Sequence, residues 1–310
     1  MQENLTPKYQ NDPMWRRILE EGIGTARRQE LIKLIEKKRS ALSGKDTKLI
    51  TYITKFGHPG AMVQEDDTKN INDLLMSIGK TKRLELMIHS AGGLSEAAKK
   101  IIFMCREYCE EFVVVVPDAA KSAATMIALG SDSVVMSTPS ELGPIDPQYL
   151  ISTPQGQMEV VPAWSLLRGY EKAVKDALNQ DGTLKLQYYP ILASMNMQKV
   201  AQAEAELENA RKIGVELLKV GLLKNTPEKA DEISEKLASG EYPDHAQLIR
   251  WNDAVNYFGA NSVEKLESNN ELWLLYWELY LRSAMFVMNP RFVKLFESNN
   301  NSLNIQLIIG

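Results

Sequence analysis

Short apolar runs alternate with helical patterns through the first half of the chain. The runs LITYI (49–53), LELMI (84–88), FVVVV (112–116) and SVVM (133–136) have the length of strands. Between them, apolar residues recur three and four positions apart over 71–78 and 95–109, which is the spacing of a helix face. Strands that alternate with helices predict parallel βαβ crossovers, and therefore an α/β fold.

The remainder of the chain has a mainly helical pattern. A polar arm over 1–13 precedes a predicted helix over 14–42, and further helices are predicted over 162–178, most of 183–223 and 226–237. Residues 261–310 predict a helical appendage with an apolar tail. Because its aromatic-rich segment 272–288 contains Glu278 and Arg282, we expect a buried or interface helix rather than a membrane span. The apolar segment and tail need burial, so we also expect homo-oligomers.

Composition and charge narrow the class of protein. The 310 residues are 44% hydrophobic and 25% charged, and a net charge of -4 argues against a nucleic-acid binder. The basic residues between 16 and 39 are interleaved with glutamates and predict a solvated helix face rather than a membrane-surface or partner face. The first thirty residues lack an apolar signal core, and Cys105 and Cys109 are predicted to be reduced, so we expect a soluble, cytoplasmic protein. No glycine-rich phosphate loop or metal signature is present, and no cofactor or metal is predicted.

The first candidate for chemistry is Ser122, in the turn between a buried strand and a helix of small residues. A helix N-terminus offers unpaired N–H groups and a positive dipole end, which favours an exposed nucleophile. The alternative role of Ser122 is a helix cap, or a small residue that permits close packing.

A glycine pair supplies the second candidate. Gly92 and Gly93 follow the strand over 84–88, and adjacent glycines permit a tight turn with exposed N–H groups, as an oxyanion hole requires. The ends of parallel strands meet at one sheet edge, so we expect this turn to lie near Ser122. The alternative is an ordinary strand-to-helix turn.

Several residues are candidates for the general base. His245 lies beside Asp244 in a polar loop, which would suit a Ser-His pair with an orienting carboxylate. A lysine with a lowered pKa is the other route, and Lys172 and Lys175 on a predicted helix are its candidates, while Lys121 is predicted to point away. The residues alone leave these alternatives open.

Four segments together resemble a known family. IHSAGGLSEAAKKI (88–101), AAKSAATMIALGSDSVVM (119–136), SELGPIDPQ (140–148) and LASGEYPDHAQLI (237–249) resemble the serine dehydrogenase proteinase family, over roughly residues 28–260. That family is related to signal peptide peptidase A and to the proteolytic subunit of Clp protease. The resemblance implies an α/β fold of the Clp/crotonase type, a spiral of βαβ units with N- and C-terminal helical extensions. The implied divisions are an arm and helix over 1–48, the core over 49–260 and the appendage over 261–310.

The resemblance also implies roles for individual residues. Ser122 matches the nucleophile, Gly92 and Gly93 match the oxyanion glycines, and Ala123 would contribute a second N–H. Asp146 falls near the position of the catalytic histidine of the Clp subunit, so this chain departs from the Ser-His-Asp pattern. The lysine of the signal peptide peptidase dyad aligns with Ala163 or Trp164, and Lys172 follows two turns later.

Three functions remain as hypotheses at this point. The first is a serine endopeptidase that binds an extended peptide or protein substrate beside Leu94, with Lys172 or His245 as base. The second is a catalytically inactive assembly or binding protein on the same fold. The third is an acyl-CoA enzyme of the crotonase type. Nucleic acid is not an expected partner, and a membrane surface is not indicated.

Overall fold

The computed structural model describes residues 13–152, 156–239 and 248–306. The helices in these ranges are α1 (Met14–Glu21), α2 (Thr25–Ser43), α3 (Asp67–Ile78), α4 (Ser95–Glu107), α5 (Ala123–Leu129), α6 (Ala163–Ala177), α7 (Tyr189–Ser194), α8 (Met197–Val220), α9 (Ala230–Ala238), α10 (Trp251–Phe258) and α11 (Glu271–Met288). Short 3-10 turns lie at Pro59–Ala61, Leu186–Tyr188 and Pro227–Lys229. The strands are β1 (Thr47–Thr54), β2 (Thr81–His89), β3 (Cys109–Val115), β4 (Ala119–Ala120), β5 (Ser133–Met136), β6 (Glu141–Leu142), β7 (Gln148–Ser152), β8 (Met158–Pro162), β9 (Ile249–Arg250), β10 (Val263–Lys265), β11 (Phe292–Glu297) and β12 (Ser302–Gln306).

A seven-stranded sheet forms the centre of the molecule, in the order β10-β5-β3-β2-β1-β11-β12. The first five strands of that order are parallel, and the predicted crossovers through α3 and α4 connect β1 to β2 and β2 to β3. The side chains of β1 alternate between the two faces: Ile50 and Tyr52 face one buried cluster, whereas Leu49 and Ile53 face the other. The sheet is therefore covered on both faces, as the continuous apolar runs predicted.

Two smaller sheets lie outside the central one. The strands β4, β6 and β9 form one of them, and β7 and β8 form a hairpin. A backbone bridge between Ser90 and Ala120 joins the end of β2 to β4. This bridge brings the turn after β2 beside the turn that follows β4.

The C-terminal segment differs from the predicted helical appendage. It contains one long helix, α11, together with β10, β11 and β12, and all three strands belong to the central sheet. The strand β11 was not predicted because two of its buried positions hold the charged residues Lys294 and Glu297. The helix α11 is buried inside the chain against α2 and the sheet, so the apolar segment 272–288 does not need a second copy to cover it.

Two residues of the basic cluster near the N-terminus depart from the predicted solvated face, whereas Arg16, Lys33 and Lys37 are exposed as predicted. The Arg28 guanidinium is buried and pairs with Glu297 at 2.7 Å, and Arg39 is buried beside Glu85 at 3.0 Å. Gly22 and Gly24 divide the predicted single helix into α1 and α2. The cysteines Cys105 and Cys109 are not joined by a disulfide.

Candidate active site

Ser122 occupies a strained turn between β4 and α5. Its φ of 49° and ψ of -118° make it the one non-glycine residue with positive φ in the described ranges. Such a backbone conformation costs on the order of 1–3 kcal/mol and persists only where the surroundings impose it. The Ser122 side chain makes no capping hydrogen bond to α5. Ser122 thus holds the N-cap position of α5 without the side-chain hydrogen bond that the capping alternative requires, and its hydroxyl is not engaged by the helix that it precedes.

Gly92 lies directly against the Ser122 turn. A Cβ atom built on Gly92, whose φ is +104°, would come within 2.6 Å of the Ser122 Cβ and 2.7 Å of the Lys121 carbonyl oxygen. Only glycine fits this position. The predicted proximity of the glycine pair to Ser122 is thus present in the structure, where Gly92 packs directly against the strained turn.

Two backbone N–H groups remain available beside the serine. The Gly92 N–H donates to the Ser90 hydroxyl at 3.1 Å, so it is already used within its own turn. The Gly93 and Ala123 N–H groups have no acceptor among the described residues. Among the described residues, therefore, Gly93 and Ala123 are the two predicted oxyanion residues whose N–H groups have no acceptor to compete with a bound oxygen.

The segment around Val63 braces the glycine pair. The Val63 N–H donates to the Gly92 carbonyl at 2.8 Å, and the Leu94 N–H donates to the Val63 carbonyl at 2.9 Å. The sequence predicted no role for this segment. No local signal could have identified it, because the pairing joins residues about thirty positions apart.

A groove of about 550 Å³ opens beside Gly93. It is lined by residues 62–66 together with Gly93 and Leu94. The Leu94 and Met62 side chains are 55% and 41% exposed, so the groove carries uncovered apolar surface. The groove reaches the glycine pair through Gly93 and Leu94.

The lysine candidates for the base lie in ion pairs. The Lys172 side chain is 77% exposed on α6, and its ammonium donates to Asp176 at 2.7 Å, which raises the pKa of the lysine. A raised pKa keeps the amine protonated, whereas a general base must be unprotonated. Lys121 pairs with Glu141 at 2.9 Å and donates to the Leu142 carbonyl, in agreement with the prediction that it points away from the serine.

Asp146 lies in a buried turn near α5. Its neighbour Gly143 donates its N–H to the Thr125 hydroxyl of α5 at 3.0 Å, and the Asp146 side chain is buried. The chain on either side of 240–247 contacts the same turn: the Leu237 carbonyl accepts from the Ile145 N–H at 2.9 Å, and Ile249 pairs with Leu142. The candidate His245 itself lies outside the described residues.

A buried histidine lies behind the glycine turn. His89 at the end of β2 packs edge-on against Tyr280, and its Nδ1 accepts from the Ala119 N–H at 3.4 Å. Burial lowers its pKa, although the Asp118 carboxylate at 3.7 Å opposes that shift. Through its contact with Ala119, His89 links the end of β2 to β4.

The described ranges contain neither a cluster of metal-ligating side chains nor a helix able to span a membrane. No group of three or more His, Cys, Asp or Glu side chains there is arranged to hold a metal ion. Within the same ranges, no helix combines the length and the hydropathy that crossing a bilayer requires.

Comparisons with known proteins add a family match. A family model described as ClpP-like SDH-type serine proteinase matches residues 17–250. Two uncharacterized proteins of Methanocaldococcus jannaschii, MJ1495 and MJ0137, are 30% and 32% identical to the chain over 177 residues, which is 57% of this chain and 51% and 53% of theirs. The match therefore spans about half the length of these relatives.

Solved structures are also similar. The 1510-N membrane-bound stomatin-specific protease aligns over 70% of this chain and 78% of its own, with 12% identity and a TM-score of 0.43. ClpP1 from Listeria monocytogenes aligns over 70% of this chain and 91% of its own, with 15% identity and a TM-score of 0.34.

Proposed function

Because the chain belongs to the ClpP-like SDH-type serine proteinase family, we propose that it is a serine endopeptidase with Ser122 as its nucleophile. The predicted family and the predicted Clp/crotonase-like α/β fold are both confirmed. The observation that carries the proposal is the strained Ser122 turn packed against Gly92, with two open N–H groups beside it.

The proposed reaction is acyl transfer in two steps. The Ser122 Oγ attacks the carbonyl carbon of a peptide bond, and its proton passes to a general base. The oxyanion that forms accepts hydrogen bonds from the Gly93 and Ala123 N–H groups, which stabilise its negative charge. The base returns the proton to the leaving amine, and a water molecule then releases the acyl group from Ser122.

For the base, we propose His245, oriented by the carboxylate of Asp146. Asp146 is buried in the turn next to α5, and the residues that flank 240–247 both contact that turn. A carboxylate that accepts from an imidazole fixes its tautomer and favours the imidazolium. The exposed ion pair of Lys172 with Asp176 supports this choice over the lysine.

An extended peptide is the proposed substrate. The groove beside Gly93 and Leu94 would bind it by backbone pairing, with an apolar side chain against Leu94 and Met62. The backbone contributes pairing that depends little on sequence, so side-chain preference would arise mainly from this apolar contact.

We also propose that the protein self-associates and is cytoplasmic. Exposed apolar side chains concentrate between 158 and 197, and include Met158, Val160, Leu178, Leu184, Leu186, Tyr189, Ile191 and Met197. A surface of this kind favours contact with a second copy. Sedimentation of a monomer at micromolar concentration would contradict this assignment.

A fluorophosphonate probe tests the nucleophile, because it forms a covalent bond with an activated serine. The native protein should be labelled and should cleave an unfolded protein substrate, and Ser122→Ala should lose both activities. Ser95→Ala is the matched control, since Ser95 begins α4 three residues after Gly92 and has no assigned role. Absence of labelling and cleavage between about pH 5 and pH 9 would instead favour the inactive binding protein.

A further inference from the structure

A lysine on a C-terminal strand is buried close to the candidate active site. The Lys294 side chain on β11 is 1% exposed, and its ammonium donates to both carboxylate oxygens of Asp67 at 2.8 Å. It also donates to the Met62 carbonyl oxygen at 2.6 Å. An ammonium has three N–H donors, so these three acceptors satisfy it completely.

The Asp67 carboxylate extends these contacts to the next peptide group. Its Oδ2 accepts from the Gln64 N–H at 2.8 Å and from the Tyr52 hydroxyl at 2.6 Å. Met62 and Gln64 flank Val63, so the Lys294–Asp67 pair holds the peptide groups on both sides of that residue. Val63 is thereby fixed from behind by two buried charges.

Val63 in turn determines the orientation of one oxyanion donor. Its N–H donates to the Gly92 carbonyl at 2.8 Å, and the carbonyl of Gly92 and the N–H of Gly93 belong to the same planar peptide group. In a trans peptide these two groups point in opposite directions. A hydrogen bond that holds the carbonyl toward Val63 therefore directs the Gly93 N–H away from Val63.

Close packing leaves this arrangement little freedom. A Cβ on Gly93 would come within 2.4 Å of the Val63 nitrogen, so the two backbones are already in contact. Any displacement of Val63 is transmitted to the Gly92–Gly93 peptide. Lys294, Asp67, Val63 and that peptide form one continuous series of contacts.

We propose that Lys294 is a positioning residue of the active site, which holds the Gly93 N–H in its oxyanion-binding orientation through Asp67 and Val63. The inference rests on the proposed serine peptidase function. It assigns a catalytic consequence to β11, a strand that the sequence reading placed in a helical appendage.

The same strand provides a control for a purely structural role. Glu297 is as deeply buried as Lys294 and pairs with Arg28 at 2.7 Å. Its other described contact is with the Ser302 hydroxyl, and neither partner contacts the Val63 segment. Loss of the Glu297 charge should weaken folding without reorienting Gly93.

The test measures fluorophosphonate labelling of Ser122 over a range of probe concentrations, which separates the maximal rate from the half-saturating concentration. Lys294→Met should lower the maximal rate by about 10²-fold, since displacement of a reacting group by about 1 Å has an effect of that size. The half-saturating concentration should stay within about twofold. Glu297→Gln should leave both quantities within about twofold of the native values.

A double variant keeps the test decisive if Lys294→Met fails to fold. In Asp67→Leu/Lys294→Met the ion pair is replaced by apolar side chains, which often preserves folding because no buried charge is left unpaired. This variant should also be labelled slowly. Labelling of Lys294→Met or of Asp67→Leu/Lys294→Met at the native rate, or an equal loss in folded Glu297→Gln, would overturn the inference while the proposed function stands. Failure to label the native protein would overturn both.

Discussion

Replacement of Gly92 by alanine tests how the Ser122 turn is supported. A Cβ at this position would lie 2.6 Å from the Ser122 Cβ, 2.7 Å from the Lys121 carbonyl oxygen and 3.0 Å from the Ala123 nitrogen. Two of these neighbours are backbone atoms and cannot rotate away. Either Ser122 and Ala123 move, or the Gly92 turn does.

Gly44 provides a reference for the loss of unfolding free energy expected in Gly92→Ala. Gly44 ends α2 with a φ of +67°, and a Cβ built there would meet nothing within 4 Å. Gly44→Ala should therefore cost only the positive φ, about 1–2 kcal/mol of unfolding free energy. Gly92→Ala adds overpacking of about 1–3 kcal/mol to a similar backbone term. We expect Gly92→Ala to be the less stable of the two by that difference.

The effect on chemistry should separate the two variants more clearly. A shift of the serine or of an oxyanion donor by up to about 1 Å should slow labelling of Gly92→Ala by about 10²-fold. Gly44 precedes β1, at the opposite end of the parallel strands from the turn after β2, so Gly44→Ala should be labelled at the native rate.

The assay combines urea unfolding with the rate of fluorophosphonate labelling, both on folded protein. Native-rate labelling of Gly92→Ala would refute the assignment of Gly92 as the support of the turn. So would equal slowing of both alanine variants, because that result would trace the effect to general destabilisation.

Three further predictions concern the serine, the buried histidine and the base. Both Ser122→Gly and Ser122→Ala should lose labelling, but the free energy of unfolding measured in urea should be about 1 kcal/mol higher for Ser122→Gly, because glycine relieves the positive φ of 49°. Equal stabilities of the two variants would contradict the strained backbone. Burial lowers the pKa of His89, so as the pH drops below about 6.5 the unfolded chain binds a proton more readily than the folded protein does, and the free energy of unfolding should fall. His89→Asn should therefore lose less stability than the native protein between pH 7.5 and pH 5.5, and an equal loss in both proteins would contradict this prediction. His245→Ala should slow labelling by about 10²–10⁴-fold, whereas Lys172→Ala, whose exposed ammonium pairs with Asp176, should keep the native rate; the reverse result would assign the base to the lysine.

The parallel half of the fold could be predicted from sequence because its pattern is local. The strand over 133–136 agrees with β5, and the runs at 49–53 and 84–88 lie within β1 and β2. A strand that is covered on both faces reads as a continuous apolar run, and the helices between such strands have a clear apolar spacing. Ser122 and the glycine pair could be selected for the same reason, since each follows directly on a recognisable strand.

The C-terminal strands could not be predicted, because their buried positions hold charges. In β11, Lys294 and Glu297 are buried only because Asp67 and Arg28 pair with them. Each partner lies more than two hundred residues away along the chain, so no local pattern reveals the pair. The same reasoning applies to Val63, whose contact with Gly92 exists only after the sheet has formed.

The apolar helix α11 was predicted to be buried or to lie at an interface, and the structure confirms that it is buried. The same segment also led to the prediction of homo-oligomers, but a second copy is not needed to cover it. In the structure Glu278 and Arg282 of this helix pair with each other, and Arg17 and Arg27 from the N-terminal helices also contact Glu278. The N-terminal region covers α11 through these charges, so the helix is internal.

The central claim is that Ser122 is an activated nucleophile, and mass spectrometry of the phosphonylated protein tests it most directly. After labelling of the native protein, digestion and peptide mapping should place a single adduct on Ser122. Denaturation before labelling should abolish the adduct, because the nucleophile depends on the folded turn. An adduct on a different serine, or an equal yield from the denatured chain, would contradict the claim.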